Sequence, residues 1–227
     1  MPVGFRILPR RRKAESRWIE AFRPLPVANV SDVMARMTAG GPRLRPMHRA
    51  GATVLAGPAL TVRTRPGDNL MIHKAIGLAE PGDVIVVDGG GDLTNALIGE
   101  LMLGQMIFRK LGGIVINGAI RDSAAIAGQD FPVYAAGVTH RGPYKDGPGE
   151  INVPVALDGM VIEPGDLILG DADGLLCVPY AELETVQAAA AAKQAAEAKQ
   201  IAEIEAGTND TGWVDAALRR LGCEGLD

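Results

Sequence analysis

Two short apolar runs, residues 84–87 and 114–116, stand out in the pattern of hydrophobic and polar positions along the chain. Both are rich in β-branched residues and are bounded by Gly or Asp, which is typical of buried strands. Between them, residues 100–111 carry apolar side chains close to helical spacing. The order strand, helix, strand predicts a βαβ unit with a right-handed crossover.

The dimensions of this unit predict where a ligand would bind. A helix over residues 100–111 runs roughly 18 Å, and a strand over residues 113–118 returns about the same distance at roughly 3.3 Å per residue. The helix N-terminus and the strand exit at Arg121 and Asp122 therefore meet at the carboxyl edge of the sheet, where open α/β sheets usually bind ligands.

The residue types at this edge suit a small oxo acid and a metal ion. The first helical turn offers N–H groups to an anion, and Arg121 offers donors to a carboxylate or keto oxygen. Asp122 and Glu100 supply oxygen ligands for a divalent cation such as Mg²⁺. The alternative is a surface Arg–Asp pair beside an ordinary acidic first-turn residue, and spacing alone favours that alternative.

The N-terminal segment is basic, with the sequence RILPRRRK at residues 6–13. We expect it to be a solvated, partly disordered terminus, with contact to nucleic acid or to an acidic partner as the alternative. The formal net charge of −4 argues against a general nucleic-acid-binding role. Further on, Ser31 is expected to cap a short helix, and residues 52–65 to form two strands broken at Gly57-Pro58.

Three further segments carry candidate chemistry. His73 lies on a predicted helix over residues 70–78, and we interpret it as a packed histidine in preference to a catalytic base. The loop at residues 140–150 contains Arg141 and Lys145. It is either a basic lid over the distal end of an anionic substrate or an ordered connection between strands. The alanine-rich segment 181–206 predicts a long helix that buries little on its own subunit and lies against another chain.

The composition indicates one large domain in a cytoplasmic protein. The 227 residues are 47% hydrophobic, enough for one good core. We find no run of about twenty apolar residues and no leader with an apolar region, so neither a membrane span nor secretion is expected. Cys177 and Cys223 are far apart in sequence, which favours reduced thiols.

Several segments, in order, resemble the RraA-like family: PGDNLMIHKAI, EPGDVIVVDGGGD, GGIVINGAIRD, RGPYKDGPGEINVPV and GDADGLLCVP. The family includes class II pyruvate aldolases that act on 4-hydroxy-4-methyl-2-oxoglutarate and 4-carboxy-4-hydroxy-2-oxoadipate. The resemblance covers roughly residues 28–200 and implies a single-domain α/β/β/α sandwich, related to swivelling β/β/α domains, with a protruding C-terminal helix. It divides the chain into an arm and helix (1–27), a catalytic domain (28–180) and a helical, intersubunit extension (181–227).

The resemblance also assigns roles to residues of the GELM and RD motifs. It implies that Asp122 binds Mg²⁺ or Mn²⁺, that Arg121 binds substrate, and that catalysis uses Arg121, Glu100 and Asp122. The substrate would rest on the backbone of Gly99, Glu100, Leu101 and Met102. Several aldolases of the family carry Asp where this chain has Glu100, a small departure that bears on the position of a metal-bound water.

The implied function is a metal-dependent aldolase that releases pyruvate, with oxaloacetate decarboxylation as a side activity. Its partners would be a small oxo acid and further copies of the chain, because related aldolases form trimers or pairs of trimers. A glutamate from the neighbour's C-terminal helix then joins the site, and Glu197 matches it, with Glu203 as an alternative. The competing function is a non-catalytic regulator that docks on a ribonuclease; the intact Arg121-Asp122 pair favours the enzyme.

Overall fold

The computed structural model describes residues 3–38, 40–51 and 53–226. Within these ranges the chain forms, in order, β1 (Phe5–Ile7), α1 (Ser16–Phe22), α2 (Val27–Val33), β2 (Arg45–Pro46), β3 (Leu55–Thr64), α3 (Leu70–Leu78), β4 (Val84–Asp88), β5 (Ala96–Ile98), α4 (Glu100–Phe108), β6 (Gly113–Ile120), α5 (Ser123–Ala127), β7 (Val133–Val138), β8 (Gly149–Ile151), β9 (Val155–Leu157), β10 (Met160–Ile162), β11 (Leu167–Gly170), β12 (Leu175–Val178), a 3₁₀ turn (Tyr180–Glu182), α6 (Leu183–Glu205) and α7 (Gly212–Arg220).

The predicted βαβ unit lies at the centre of the main sheet. β4 and β6 are parallel neighbours, with Val84 opposite Gly113 and Val87 opposite Ile116. The main sheet has the order β1-β8-β3-β4-β6-β7-β2. A short strand that the sequence pattern does not reveal, β5, pairs with the end of β6 before α4 begins.

Alternating side chains of β4 build two layers of core. Successive residues of a strand point to opposite faces of its sheet. Ile85 and Val87 join a buried cluster closed by α3 and α4, to which Met106 belongs. Val84 and Val86 join a second cluster, between the main sheet and the hairpins β9–β10 and β11–β12. Each such buried side chain contributes roughly 1.5–3 kcal/mol.

β11 pairs with β12 and with the first residues of β3, and these strands form a second sheet. Helices cover the outer face of this sheet. In β11, Ile168 faces the cluster between the sheets, whereas Leu167 and Leu169 face a third cluster under α1, α2 and α6. β11 and β12 are joined at residues 171–174 as an antiparallel hairpin. The layers therefore run helix, sheet, sheet, helix, which confirms the predicted α/β/β/α sandwich.

The predicted break at Gly57-Pro58 is wrong, because β3 continues through it. Residues 55–58 pair antiparallel with β11, and residues from Ala59 onward pair parallel with β4. The strand changes partner at these two residues, and so links the two sheets without interruption. Ala52, where the predicted pair of strands begins, lies outside the described residues.

Two predicted helix boundaries also differ from the structure. α4 ends at Phe108, and the chain turns back at Lys110, whose φ is 58°. Ser31 lies inside α2 and is not its N-cap. The carboxylate of Asp171 accepts from the N–H of Val27 at 3.0 Å, so the start of α2 is capped by a residue distant in sequence.

The basic N-terminal segment is ordered, contrary to the expectation of a partly disordered terminus. Residues 5–7 pair with β8. Arg6 pairs with Glu150 at 2.7 Å and Arg10 pairs with Asp83 at 2.8 Å. Buried carboxylates therefore neutralise much of the positive charge that a nucleic acid would need.

The C-terminal helix packs on its own chain along its first half. Leu183, Val186 and Ala190 of α6 are buried, against α1 and α2. Further along, Ile201 and Ile204 are exposed. The expectation that α6 buries little on its own subunit is therefore wrong for its first half. In the described part of the chain, we find no helix long and apolar enough to cross a membrane.

Candidate active site

The start of α4 and the end of β6 meet at the carboxyl edge of the main sheet, as the sequence predicts. The backbone N–H of Glu100 donates to Asp122 Oδ2 at 3.0 Å. Gly99 permits this approach, because a Cβ atom there would lie 2.3 Å from Asp122 Oδ2 and 3.0 Å from Arg121 Cγ. A side chain at position 99 is therefore excluded by the close approach of the Arg121 and Asp122 side chains to this backbone.

The first turn of α4 also presents the N–H groups of Leu101 and Met102. Both residues lie within the first three positions of the helix, where no intrahelical carbonyl can accept from their N–H groups. The side chain of Leu101 is exposed, whereas that of Met102 is buried. Two donors at the positive end of a helix dipole suit a carboxylate ligand.

Arg121 lies between α4 and the loop that precedes β8. Its backbone N–H donates to Ile98 at 3.0 Å, which fixes the residue at the end of β6. Its Nε lies 3.7 Å from Asp122 Oδ2, and a Cβ atom at Gly142 would lie 3.2 Å from its Nη1. The guanidinium is therefore confined, but its side chain remains partly exposed and available to a ligand.

Asp122 has a left-handed backbone, with φ 56° and ψ 38°. Among the described residues, no three His, Cys, Asp or Glu side chains are placed to hold a metal ion together. The donors at this edge fit a cation that keeps most of its water, as Mg²⁺ does when one or two carboxylates bind it. They do not fit a cage built by the protein alone.

A cavity of about 130 Å³ opens beside these residues. It is lined by Asn69, His73, Ile98, Gly99, Leu101, Met102, Arg121, Pro143 and Lys145. The structure thus brings Gly99, Leu101, Met102 and Arg121 to one cavity; Asp122 and Glu100 are linked to it through the hydrogen bond between them. A larger cavity lies at the opposite, amino edge of the sheet, near Gly112 and Pro132, where parallel sheets rarely bind ligands.

His73, which the sequence interpretation did not place in the site, lines this cavity. His73 is half-buried, and burial, followed by the charge of Lys145, lowers its pKa below the ordinary value. Its imidazole is therefore neutral near pH 7. The interpretation of His73 as only a packed residue was incomplete, although its presence in a segment that resembles the family was a signal.

The loop at residues 140–148 forms one wall of the cavity. The N–H of Ala96 donates to Arg141 O at 2.8 Å, and Asn95 Nδ2 donates to Gly142 O at 2.6 Å. Of the two open interpretations of this loop, the structure favours the ordered connection, but one that presents Lys145 to the cavity.

The candidate glutamates of α6 have partners within their own chain. Glu197 accepts from Asn29 Nδ2 at 2.7 Å and pairs with Lys193 at 2.9 Å. Glu203 lies 3.7 Å from Lys199. A role for either glutamate in a neighbour's site stays a prediction.

Comparison with known proteins identifies the family. A sequence model of the RraA-like family, described as Aldolase/RraA, matches residues 27–177. A protein of Halalkalibacterium halodurans named "Putative 4-hydroxy-4-methyl-2-oxoglutarate aldolase" is 41% identical over 183 residues, which are 81% of this chain and 86% of the relative.

Two solved structures share the fold. The RNA-processing inhibitor RraA from Thermus thermophilis is 30% identical, with a TM-score of 0.62 over 68% of this chain and 92% of that one. An uncharacterized protein from Pseudomonas syringae pv. tomato has a TM-score of 0.76 over 86% of this chain and 95% of that one; its 24% identity makes it similar in fold alone. By the family match and the 41% identity across most of its length, the chain belongs to the RraA-like family.

Proposed function

We propose that the protein is a divalent-metal-dependent lyase that cleaves a 4-hydroxy-2-oxo diacid to pyruvate and a second oxo acid. Suitable substrates are 4-hydroxy-4-methyl-2-oxoglutarate and 4-carboxy-4-hydroxy-2-oxoadipate. The observation that carries the proposal is the convergence of the α4 N-terminus, Arg121 and Asp122 at the carboxyl edge of the main sheet. The aldolase name of the relative that is 41% identical supports it.

The chain's own groups would orient the pyruvate part of the substrate. The carboxylate rests on the N–H groups of Leu101 and Met102, and the guanidinium of Arg121 donates to the keto oxygen. Asp122, with water held near Glu100, would bind Mg²⁺ or Mn²⁺. That cation supplies Lewis-acid polarisation of the 2-oxo group when bound.

Cleavage then breaks the bond between C3 and C4 of the substrate. The hydroxyl on C4 loses its proton and becomes the carbonyl of the second product, while the bonding electrons pass into the 2-oxo group as a pyruvate enolate. Arg121 stabilises the charge that develops on this oxygen, an effect worth about 10²–10³ in kcat for a single donor. Glu100, exposed at the start of α4, accepts the hydroxyl proton through a water, and protonation of C3 gives pyruvate.

The test is pyruvate release from 4-hydroxy-4-methyl-2-oxoglutarate and from oxaloacetate, each measured with Mg²⁺, with Mn²⁺ and with EDTA. Both reactions pass through a pyruvate enolate, so we expect turnover of both substrates and its loss in EDTA. An absence of release from either substrate, by folded protein supplied with metal, would contradict the proposed function.

The likeness to a solved RNA-processing inhibitor supports a second candidate, a regulator that acts by binding a ribonuclease. The Arg121-Asp122 pair would then have no catalytic role. An Asp122→Ala variant that binds and inhibits a ribonuclease as well as the unaltered protein does, while neither form releases pyruvate, would favour the regulator.

We also propose that the active form is a homo-oligomer, either a trimer or a hexamer. Support comes from exposed apolar side chains on the helices near the site and at the C-terminus: Leu101, Phe108, Ile201, Ile204 and Trp213. Isolated exposed apolar residues are ordinary, but several on the outer sides of helices are typical of an interface.

A further inference from the structure

A buried carboxylate holds the cavity loop against the start of α3. Asp68 has no exposed surface. One of its oxygens accepts from the N–H groups of Asp146 at 2.7 Å and Gly147 at 2.9 Å, and the other accepts from the N–H of Leu70 at 2.9 Å. Arg65 Nη2 donates to it at 3.2 Å. This carboxylate therefore ties the backbone at residues 146–147 to the turn that begins α3.

Two backbone hydrogen bonds fix the same loop on the other side of Lys145. The N–H of Tyr144 donates to Gly67 O at 2.8 Å, and the N–H of Asn69 donates to Tyr144 O at 3.0 Å. Residues 144 and 146 are thus both bonded to the turn at residues 67–69. The backbone at Lys145 is consequently held in one position, although its side chain is exposed.

An ionised carboxylate is the group suited to this arrangement. An asparagine in its place has only one oxygen to accept hydrogen bonds, and its NH₂ group would face a backbone donor. Burying a charge is unfavourable unless hydrogen bonds satisfy it; Asp68 has three N–H donors and one guanidinium. The presence of a buried charge, despite its unfavourable burial, indicates that the position of the loop matters.

Lys145 brings a second positive charge to the cavity that Arg121 also lines. His73, on the same wall, is neutral because its pKa is lowered. The proposed substrate carries two carboxylates, and the first is bound at the start of α4. Among the cavity residues, Lys145 and Arg121 are the cations. In the proposed function Arg121 binds the keto oxygen. Lys145 is therefore the cation available to the second carboxylate.

We propose that Lys145, positioned by Asp68, binds the second carboxylate of the substrate and so selects diacids over monoacids. This inference rests on the proposed function and concerns the same cavity. Lys145 is a specificity-determining residue, and Asp68 is a positioning residue that acts through the backbone of residues 146 and 147.

The first test compares two substrates that differ in one group. These are 4-hydroxy-4-methyl-2-oxoglutarate and 4-hydroxy-4-methyl-2-oxopentanoate. The second compound has a methyl group in place of the carboxylate that is attached to C4. We expect Lys145→Met to lower kcat/KM for the diacid about 10- to 50-fold, mainly through KM, and to change it less than about 2-fold for the monoacid. Lys145→Arg should restore most of the preference. Lys74→Met is the control, because Lys74 lines a separate surface groove.

The second test separates positioning from stability. Asp83 is as buried as Asp68; it accepts from the backbone N–H of Glu80 and, like Asp68, from an arginine, here Arg10. Both Asp68→Asn and Asp83→Asn should lower the unfolding midpoint. Only Asp68→Asn should reduce the diacid preference, by about 5-fold or more, and speed amide hydrogen exchange at residues 144–147.

The outcomes distinguish this inference from the proposed function. An equal fall for both substrates in Lys145→Met, or an unchanged preference in Asp68→Asn despite faster exchange, would overturn the inference and leave the lyase intact. An unaltered protein that releases pyruvate from neither acid would overturn the proposed function, and the role of Lys145 with it.

Discussion

At the scale of single residues, the site depends on how closely the side chains of Arg121 and Asp122 approach the backbone at Gly99. The N–H of Glu100 reaches Asp122 Oδ2 because Gly99 has no side chain to prevent it. Asp122 adopts a left-handed backbone, a conformation that Asp and Asn tolerate better than most residues. The geometry of the candidate site is therefore set by steric freedom at one residue and by backbone tolerance at another.

Two glycines at nearby positions give a matched pair of variants. In Gly99→Ala, the new Cβ lies 2.3 Å from Asp122 Oδ2, so we expect kcat/KM to fall about 100-fold as the carboxylate is displaced. In Gly104→Ala, the Cβ meets nothing within 4 Å and lies inside α4. It should stabilise the protein by about 0.5–1 kcal/mol with unchanged activity. Equal activity of the two variants in steady-state kinetics would contradict this account.

At the scale of elements, the sequence predicts the strands and helices that depend on the local pattern of apolar and polar residues. β4 and β6 are confirmed, because a continuous apolar run reflects the burial of a strand on both faces. The length of the crossover predicts that the Arg121-Asp122 pair lies at the sheet edge, where the structure places it. The N-terminal arm was mispredicted, because the partners of Arg6 and Arg10 are Glu150 and Asp83, far away in sequence. Lys145 was left open for the same reason, since Asp68 holds its loop from another part of the chain.

Glu150 connects the arm to the main sheet and makes stability depend on pH. Burial, the largest influence, raises its pKa, but the hydrogen bond from Arg63, the N–H of Gly4 and the charges of Arg63 and Arg6 together hold the pKa below the ordinary glutamate value. Its contribution to stability is therefore fully present above the ordinary pKa of about 4.3. That contribution is lost as pH falls through the lowered pKa.

We therefore expect Glu150→Gln to lower the free energy of unfolding by about 1–3 kcal/mol near pH 7. The difference from the unaltered protein should shrink as pH falls below about 4. Urea unfolding at several pH values measures this, with Glu15→Gln as the control, because Glu15 is exposed beside Arg17. A difference that stays constant down to about pH 3 would contradict the role of the ionised carboxylate.

At the scale of the whole molecule, none of the four layers covers the second half of α6. Ile201 and Ile204 are exposed, while Glu197 is held by Asn29 and Lys193 of the same chain. The proposed oligomer would cover this region. It would also decide whether Glu197 or Glu203 reaches a neighbour's site.

A site shared between subunits predicts complementation. Arg121→Ala and either Glu197→Gln or Glu203→Gln should each be inactive alone, because each damages every site. Mixed oligomers, refolded from both variants together, should regain a fraction of pyruvate release, since some sites then combine two intact contributions. Full activity of Glu197→Gln and Glu203→Gln on their own, or mixtures that stay inactive for both, would show that neither joins the neighbour's site.

Pyruvate release by Asp122→Asn from 4-hydroxy-4-methyl-2-oxoglutarate with Mg²⁺ measures whether turnover depends on a metal-binding carboxylate at this position. Asparagine tolerates the left-handed backbone of Asp122, so the fold should be retained, with the free energy of unfolding changed by less than about 1 kcal/mol. It lacks the negative charge that a divalent cation requires. We expect a loss of about 100-fold or more in kcat. Turnover within a few-fold of that of the unaltered protein would contradict the proposed role of Asp122.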